Sequence, residues 1–348
     1  MRRADLERSV NTASSGGAVT LQMVAAEAGV SPSTVSRILN GTARVKESKV
    51  RAVEAAISKL RFTPDPVARS LARGRSMSVG VVTQSLGSPF YGEVLSAIEE
   101  RLIRANYAAL FISGHYREAD ERRSVDHLLA RRVEGIILLN SCLPEQELVN
   151  LARGAPLILT GRAVTAARIH CLDVDSTAGA RLATDYLIDQ GHRRIAHLAG
   201  PADHADALQR LAGYRKALSA ARIPFAKELV VDGDYTAAGG MRGIDALLDS
   251  RQEFTAVFAA NDETAYGAML ALHRRGLSVP KQVSVIGYDD LPASRFTIPP
   301  LTSVHRATAE LGERAAEAII ELIEGRTVTR SDTPSTLAVR ESTRSLRR

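Results

Sequence analysis

The stretch VTLQMVAAEAGVSPSTVSRILN, residues 19–40, decides how the N-terminal part of this chain folds. Leu21, Val24, Ala25 and Ala28 recur at helical spacing, Thr20 stands where an N-cap belongs, and Gly29 can end the helix. Ser31 is a second N-cap, followed by Pro32 at the first helical position, where a missing N–H costs nothing. Two short helices joined through Gly-Val-Ser match a helix-turn-helix. The second helix is unusual in composition, because Ser33, Thr34 and Ser36 are weak helix formers in an interior. Val35, Ile38 and Leu39 give it one apolar face, and Ser33, Ser36 and Arg37 give it a short polar one. Short hydroxyls permit close approach to a DNA groove, and an arginine can grip guanine O6 and N7 with two bonds.

Charge supports that reading. Residues 1–77 hold 13 Lys or Arg against 6 Asp or Glu, a net of +7, and the rest of the chain is −1. A basic segment joined to a neutral remainder points to a polyanion at one end only, although a solvated basic face would give the same count. The whole chain has 348 residues, 45% of them hydrophobic, enough for two or three domains with a large core. Cys142 and Cys171 lie apart without metal-ligand spacing, so both are expected as small buried residues in a reducing compartment. No apolar run of about 18 residues exists to span a membrane. The N-terminal MRRADLERSVNTASSGG lacks the apolar core of a secretion signal and reads as a flexible arm, so the cytoplasm is the expected location.

After the helix-turn-helix, KESKVRAVEAAISKLRF predicts a third helix, with Val50, Val53, Ile57 and Leu60 closing a three-helix core. Pro64 ends it. Asp65 and Pro66 then form a new cap and first position for a segment that can run only to about Arg73 before Gly74. So short a helix is marginal alone in water. Leu71 has no evident core to enter, and an ordinary basic linker fits these residues equally well.

VTLQMVAAEAGVSPSTVSRILNG followed by ARSLARGRS resembles the start of a lactose-repressor family regulator (LacI/GalR type). The resemblance implies a hinge helix that folds on operator DNA, with Leu71 wedged into the minor groove and Asp65 as its cap. It places Ser33 and Arg37 where bases are read, and Thr34 and Asn40 where phosphates are met. With Ser36 and the cap and turn residues Thr20, Ser31 and Pro32, these make the expected DNA-binding set. Met23 is a departure, since the family usually has an acidic residue there. The lost reciprocal cap is worth at most about 1 kcal/mol.

From Met77 onward the pattern alternates. SVGVV, AALFI, VEGIILL, PLILT, IAHLAG, TAVFAA and VSVIGY are strand-like runs separated by helical stretches such as EVLSAIEERLIR, which implies parallel sheets covered by helices. The resemblance continues through GHRRIAHLAGP, RLAGYRKAL, FAANDETAYGAM and VIGYDDLPASRFTIPPLTSV to about residue 343. It implies the fold of periplasmic sugar-binding proteins, two doubly wound lobes joined by three crossovers. The expected organisation is an arm at 1–18, a helix-turn-helix domain at 19–63, a hinge at 64–76 and a two-lobed effector-binding and dimerisation domain at 77–343, an α/β core behind an all-α head.

Ligands of open α/β sheets sit beyond the carboxyl ends of the strands. Phe90, Tyr91, Arg210, Tyr235, Asn261 and Asp289 fall there, at places resembling the family's effector contacts. Aromatic faces pack on C–H surfaces, and Asp, Asn and Arg take hydroxyls in pairs, which suits a sugar or related polyol. Each residue also has a plainer reading: Asn261 as a helix cap, Arg210 in a surface ion pair, Asp289 beside Asp290 as turn chemistry. Thr160, Gly161 and Arg162 stand where some relatives place an acid near the sugar, and His305 and Arg306 carry no assigned role.

No GxSxG, GxxxxGK[ST], GxGxxG or HExxH motif is present, and His192, His197 and His204 lack metal-ligand spacing, so neither an enzyme nor a cofactor or metal is expected. A transport module for sugars fits less well, given the DNA-binding head. The expected function is a sequence-specific transcriptional repressor controlled by a small effector, which either releases DNA or, as a purine-like or phosphorylated corepressor, promotes binding. One helix-turn-helix reads one half-site, so a homodimer on palindromic double-stranded DNA is expected. The tail SDTPSTLAVRESTRSLRR lacks the heptads of a tetramerising coiled coil.

Overall fold

The computed structural model describes residues 19–40, 45–62, 75–172, 175–328 and 334–347. The chain divides into two units, Met1–Ser76 and Met77–Arg348. In the first, Thr20 adopts an extended backbone and its Oγ1 accepts the Met23 N–H at 3.4 Å, starting α1 (Leu21–Glu27). Gly29, at φ +64°, turns the chain into α2 (Pro32–Asn40). Helix α3 (Glu47–Leu60) ends where Arg61 takes a left-handed conformation and the Phe62 N–H reaches Ile57 O at 3.0 Å, a common helix terminator. Val24, Ala25, Val35, Val53 and Ala56 form the buried centre, and Ile38, Leu39, Ile57 and Leu60 pack around it. The hinge residues Asp65 and Leu71 lie outside the described residues.

In the second unit β1 (Ser78–Thr83), α4 (Pro89–Arg104), β2 (Ala108–Ser113), α5 (Glu118–Ala130), β3 (Gly135–Leu138), α6 (Glu145–Leu151), β4 (Leu157–Thr160) and β5 (Ile169–Leu172) make the first lobe. Its strands are all parallel in the order β2-β1-β3-β4-β5. The second lobe holds α7 (Ser176–Asp189), β6 (Ile195–Ala199), α8 (Ala205–Ala220), β7 (Val230–Asp232), α9 (Ala237–Asp249), β8 (Ala256–Ala259), α10 (Asp262–Arg274), β9 (Ser284–Asp289), β10 (Thr302–His305) and β11 (Thr336–Ala338). Its order is β11-β10-β9-β8-β6-β7, with β11 antiparallel to β10. The seven apolar runs read from the sequence all form strands, because a parallel sheet covered on both faces needs continuous apolar strands. Strands β5, β7, β10 and β11 are only three or four residues long and mixed in polarity, so they gave no such run.

Helix α11 (Thr308–Ile323) follows β10 but packs in the first lobe, where Leu311, Ala315 and Ile319 join Val79, Ile98 and Ile137. The chain therefore passes between the lobes three times: after β5, at Arg306–Ala307, and after α11. Gly312 makes that packing possible, since a Cβ there would lie 2.4 Å from Val94 O of α4. The cysteines do not match the expectation of buried core residues. Cys142 is exposed on the loop after β3, its thiol 2.9 Å from Glu121 Oε2, and Cys171 is half-buried on the edge strand β5. Cys142 turns outward between the buried Ser141 and Leu143, and Cys171 packs against the edge of a core cluster beside Val164.

Asp262 locks the second lobe around the ends of its strands. It opens α10, is fully buried, and accepts Ser294 Oγ at 2.6 Å, Ser303 Oγ at 2.5 Å and Leu291 N at 2.8 Å. Burial pushes its carboxyl up to about 7 against an ordinary 3.8. A raised carboxyl contributes stability below its unfolded value and loses it as pH rises through the folded one. Wild type should therefore lose stability relative to Asp262→Asn between pH 4 and pH 7, by on the order of 4 kcal/mol. Urea midpoints of both proteins across that range measure this. Parallel profiles would mean Asp262 stays ionised in the fold.

Candidate functional site

The hydroxyls of α2 have a structural task before any other. Ser31 Oγ accepts the Thr34 N–H at 3.3 Å and lies 2.9 Å from both Ser33 Oγ and Thr34 Oγ1, so the helix start is capped by its own side chains. Val35 is fully buried, which turns Ser33 and Arg37 outward, with Thr34 and Ser36 at the margins. Exposed N–H groups, small hydroxyls and a cation on one face suit phosphate and base edges. Thr20, Ser31 and Pro32 are also exposed. The Asn40 side chain lies outside the described residues.

The second unit has a cleft of about 430 Å3 between its lobes. It lies at the carboxyl ends of the strands, where the strand order reverses beside β1 and β3 in one lobe and β6 and β8 in the other. Ligands of open α/β sheets bind at such switch points. Phe90, Tyr91, Arg210, Tyr235, Asn261 and Asp289 all line it. Phe90 and Tyr91 sit edge to face at 5.1 Å in the first turn of α4. Tyr91 Oη meets Tyr116 Oη at 2.9 Å and accepts Asn140 Nδ2 at 3.0 Å. Tyr116 stacks on His204 of the opposite lobe, ring centres 4.1 Å apart, and burial pushes its hydroxyl up to about 12.

Asp289 is the electrostatic centre. It is 4% exposed, and its Oδ1 lies 3.3 Å from Arg306 Nη1 and 3.7 Å from Arg210 Nη2. Burial raises its pKa, with both guanidiniums acting against the rise. Arg210, 2% exposed, also meets Asp206 at 3.3 Å, donates to Ala260 O, and covers the Tyr288 ring at 4.1 Å. It is not a surface ion pair. Asn261 does cap a helix, with its Oδ1 accepting the Thr264 N–H at 2.9 Å, while its Nδ2 donates to Tyr235 O at 3.0 Å. Its cap role and its place in the cleft therefore coexist. Left-handed backbone gathers here at non-glycine residues: His115, Tyr116, Asn140, Asp234, Tyr235, Asp289 and Asp290. Such strain, of order 1–3 kcal/mol each, concentrates at functional sites.

Sequence reasoning missed Tyr116, Asn140, His204 and Asp206 as cleft residues. Tyr116 and Asn140 follow β2 and β3, so the strand-end rule would have found them; His204 and Asp206 precede Arg210 on the same helix start. Arg306 and His305, unassigned from sequence, pair with Asp289 and Asp290. Among the described residues no cluster of His, Cys, Asp and Glu could hold a metal, and no helix is long and apolar enough to cross a membrane.

Residues 20–65 match the bacterial regulatory proteins of the lacI family, and residues 76–344 match the periplasmic binding proteins and sugar-binding domain of the LacI family. The chain belongs to the LacI family. It is a DNA-binding transcriptional regulator and not an enzyme. The ribose operon repressor of Escherichia coli (strain K12) is 35% identical over 306 residues, spanning 87% of this chain and 93% of that one. The lac repressor dimer bound to operator and the anti-inducer ONPF superposes with a TM-score of 0.84 at 32% identity, covering 94% of this chain and 99% of that one. The CelR–cellobiose complex gives 0.70 at 33% identity, covering 93% and 99%.

Removing Asp289 leaves two buried guanidiniums short of a counter-charge. Asp289→Ala should cost on the order of 3 kcal/mol, read as a lower urea midpoint with an unchanged slope, and Asp289→Asn less. An unaltered midpoint for Asp289→Ala would mean the arginines find water instead.

Proposed function

We propose that this regulator is a cytoplasmic homodimeric repressor whose hold on palindromic operator DNA is set by a sugar or related polyol in the interlobe cleft. The observation that carries the reading is the cleft itself. It offers aromatic rings for a C–H face, Asp289 and Arg210 for paired hydroxyls, and a volume suited to a small ligand. Phe90, Tyr91, Arg210, Tyr235, Asn261 and Asp289 are the proposed effector contacts. Ser33 and Arg37 are the proposed base readers, Thr34 and Asn40 the proposed phosphate contacts, and Leu71 the proposed minor-groove wedge. The rings of Phe90, Tyr91, Tyr116, His204 and Tyr235 support a second reading, in which a planar purine acts as corepressor.

The dimer has its own support. Phe296 and Ile298 stand 83% and 96% exposed on the segment between β9 and β10, a display of large apolar side chains that a partner subunit would cover. Ile298→Asp should shift the protein to monomer in light scattering and weaken operator binding. Retention of the wild-type mass would assign the dimer contact elsewhere.

Fluorescence anisotropy on operator DNA tests the whole reading. Titration with sugars should lower the affinity, and titration with purines should raise it if the second reading holds; a protein indifferent to both classes would defeat the cleft assignment. In the same assay Arg37→Ala should weaken operator binding by about 1–3 kcal/mol and relax one base position in each half-site. Unchanged affinity and base preference would remove Arg37 from the readers.

A further inference from the structure

A small recess adjoins the cleft, sharing Phe90, Tyr91 and Asn140 with it. Thr160, Gly161 and Arg306 form part of its wall. Its free volume is about 10 Å3, room for a single oxygen-sized atom. Among the described residues lining it, Arg306 is the only charged one. No acid faces it from the end of β4, where the chain has Gly161; a Cβ there would lie 2.3 Å from Asn140 Oδ1.

Arg306 is 7% exposed and packs over the Phe90 ring at 5.1 Å. Its Nη1 pairs with Asp289, while its Nε is buried without an acceptor. Arg210 Nε is likewise buried without a partner, as is His204 Nδ1, which donates or accepts according to its tautomer; among the described residues no carboxylate oxygen of the cleft shares that condition. The two guanidinium Nε groups therefore each call for an acceptor. A buried donor left unpaired costs about 1–3 kcal/mol, and more when charged. A hydroxyl both donates and accepts, whereas a carboxylate only accepts, and its bond to a guanidinium is roughly twice as strong as a neutral one.

We infer that the effector is a sugar acid, a uronate or aldonate of monosaccharide size, with its carboxylate held by Arg306 at the recess. This rests on the reading of the cleft as a polyol site. A free volume of about 10 Å3 is room for one carboxylate oxygen, whereas a phosphate, with more oxygens around a larger centre, needs more. Arg306 also belongs to the second crossover, beside Ala307 with its left-handed backbone at φ +49°, so the same carboxylate engages a connection between the lobes.

The test is calorimetric titration of the full-length protein with D-glucuronate, D-galacturonate and D-gluconate beside the neutral D-glucose and D-galactose. An acid should bind about 10–100-fold more tightly than its neutral parent. Arg306→Gln should remove that preference, and Arg306→Lys, which keeps the charge, should retain part of it. Thermal unfolding of both variants establishes that they are folded. A neutral sugar that binds as well as its acid, or an Arg306→Gln protein with undiminished acid affinity, overturns the inference and leaves the polyol site standing. Binding of hypoxanthine with no response to any sugar or sugar acid overturns the polyol reading as well.

Discussion

Asp289 stands at the end of β9 with two guanidiniums within 3.7 Å, and the second unit is organised around that buried triad. Each of these charges alone would cost several kcal/mol to bury. Together they are tolerated, because Arg210 also reaches Asp206 and Ala260 O, and the rings of Phe90 and Tyr288 cover the cations. The three members come from different elements: the end of a central strand, a helix over the same sheet, and a crossover to the other lobe. A ligand that engages any of them changes what the other two must hold. One of the three, Arg306, belongs to a connection between the lobes.

The backbone around the triad follows the same logic. Left-handed residues recur at the ends of β2, β3, β7 and β9, and of these Tyr116, Asn140, Asp234, Tyr235 and Asp289 line the cleft. Such conformations persist only where neighbours over-determine them. Here the neighbours are identifiable: Gln84 Oε1 accepts the Tyr116 N–H at 2.8 Å, and Asn261 Nδ2 holds Tyr235 O. Rigid strands end in fixed, strained loops that aim aromatic and polar groups at one another. The result is a site with its donors in place before any ligand arrives, the arrangement that limits the entropy lost on binding.

The head solves a different problem with a much smaller core. Five small or β-branched residues are buried at its centre, so its second helix can present short hydroxyls and one arginine outward. Ser31, Ser33 and Thr34 offset their poor propensity by capping one another. All the net positive charge of the chain is in this part, so attraction to a polyanion and recognition of a small ligand are divided between two units.

Local chemistry made much of this legible in the sequence. Helical periodicity and caps placed α1, α2 and α3; apolar runs placed seven of the strands; and strand ends, together with the family resemblance, pointed to six residues that line the cleft. These signals are local, carried within about a dozen residues of chain. What the sequence left open depended on distant segments meeting. Short strands such as β5 and β11 exist because a neighbouring ladder extends onto them, not because of their own composition. Arg306 gave no sign of its role, since its partners Asp289 and Phe90 lie 17 and 216 positions away in the chain. Cys142 looked like a core residue by type and is exposed because its neighbours Ser141 and Leu143 take the inward places in the loop. The amino-acid sequence by itself determined the elements and the chemistry available to the site. Tertiary structure alone decided which charges are buried together, which donors lack acceptors and which side chains face the cleft, because burial and pairing are properties of the packed chain.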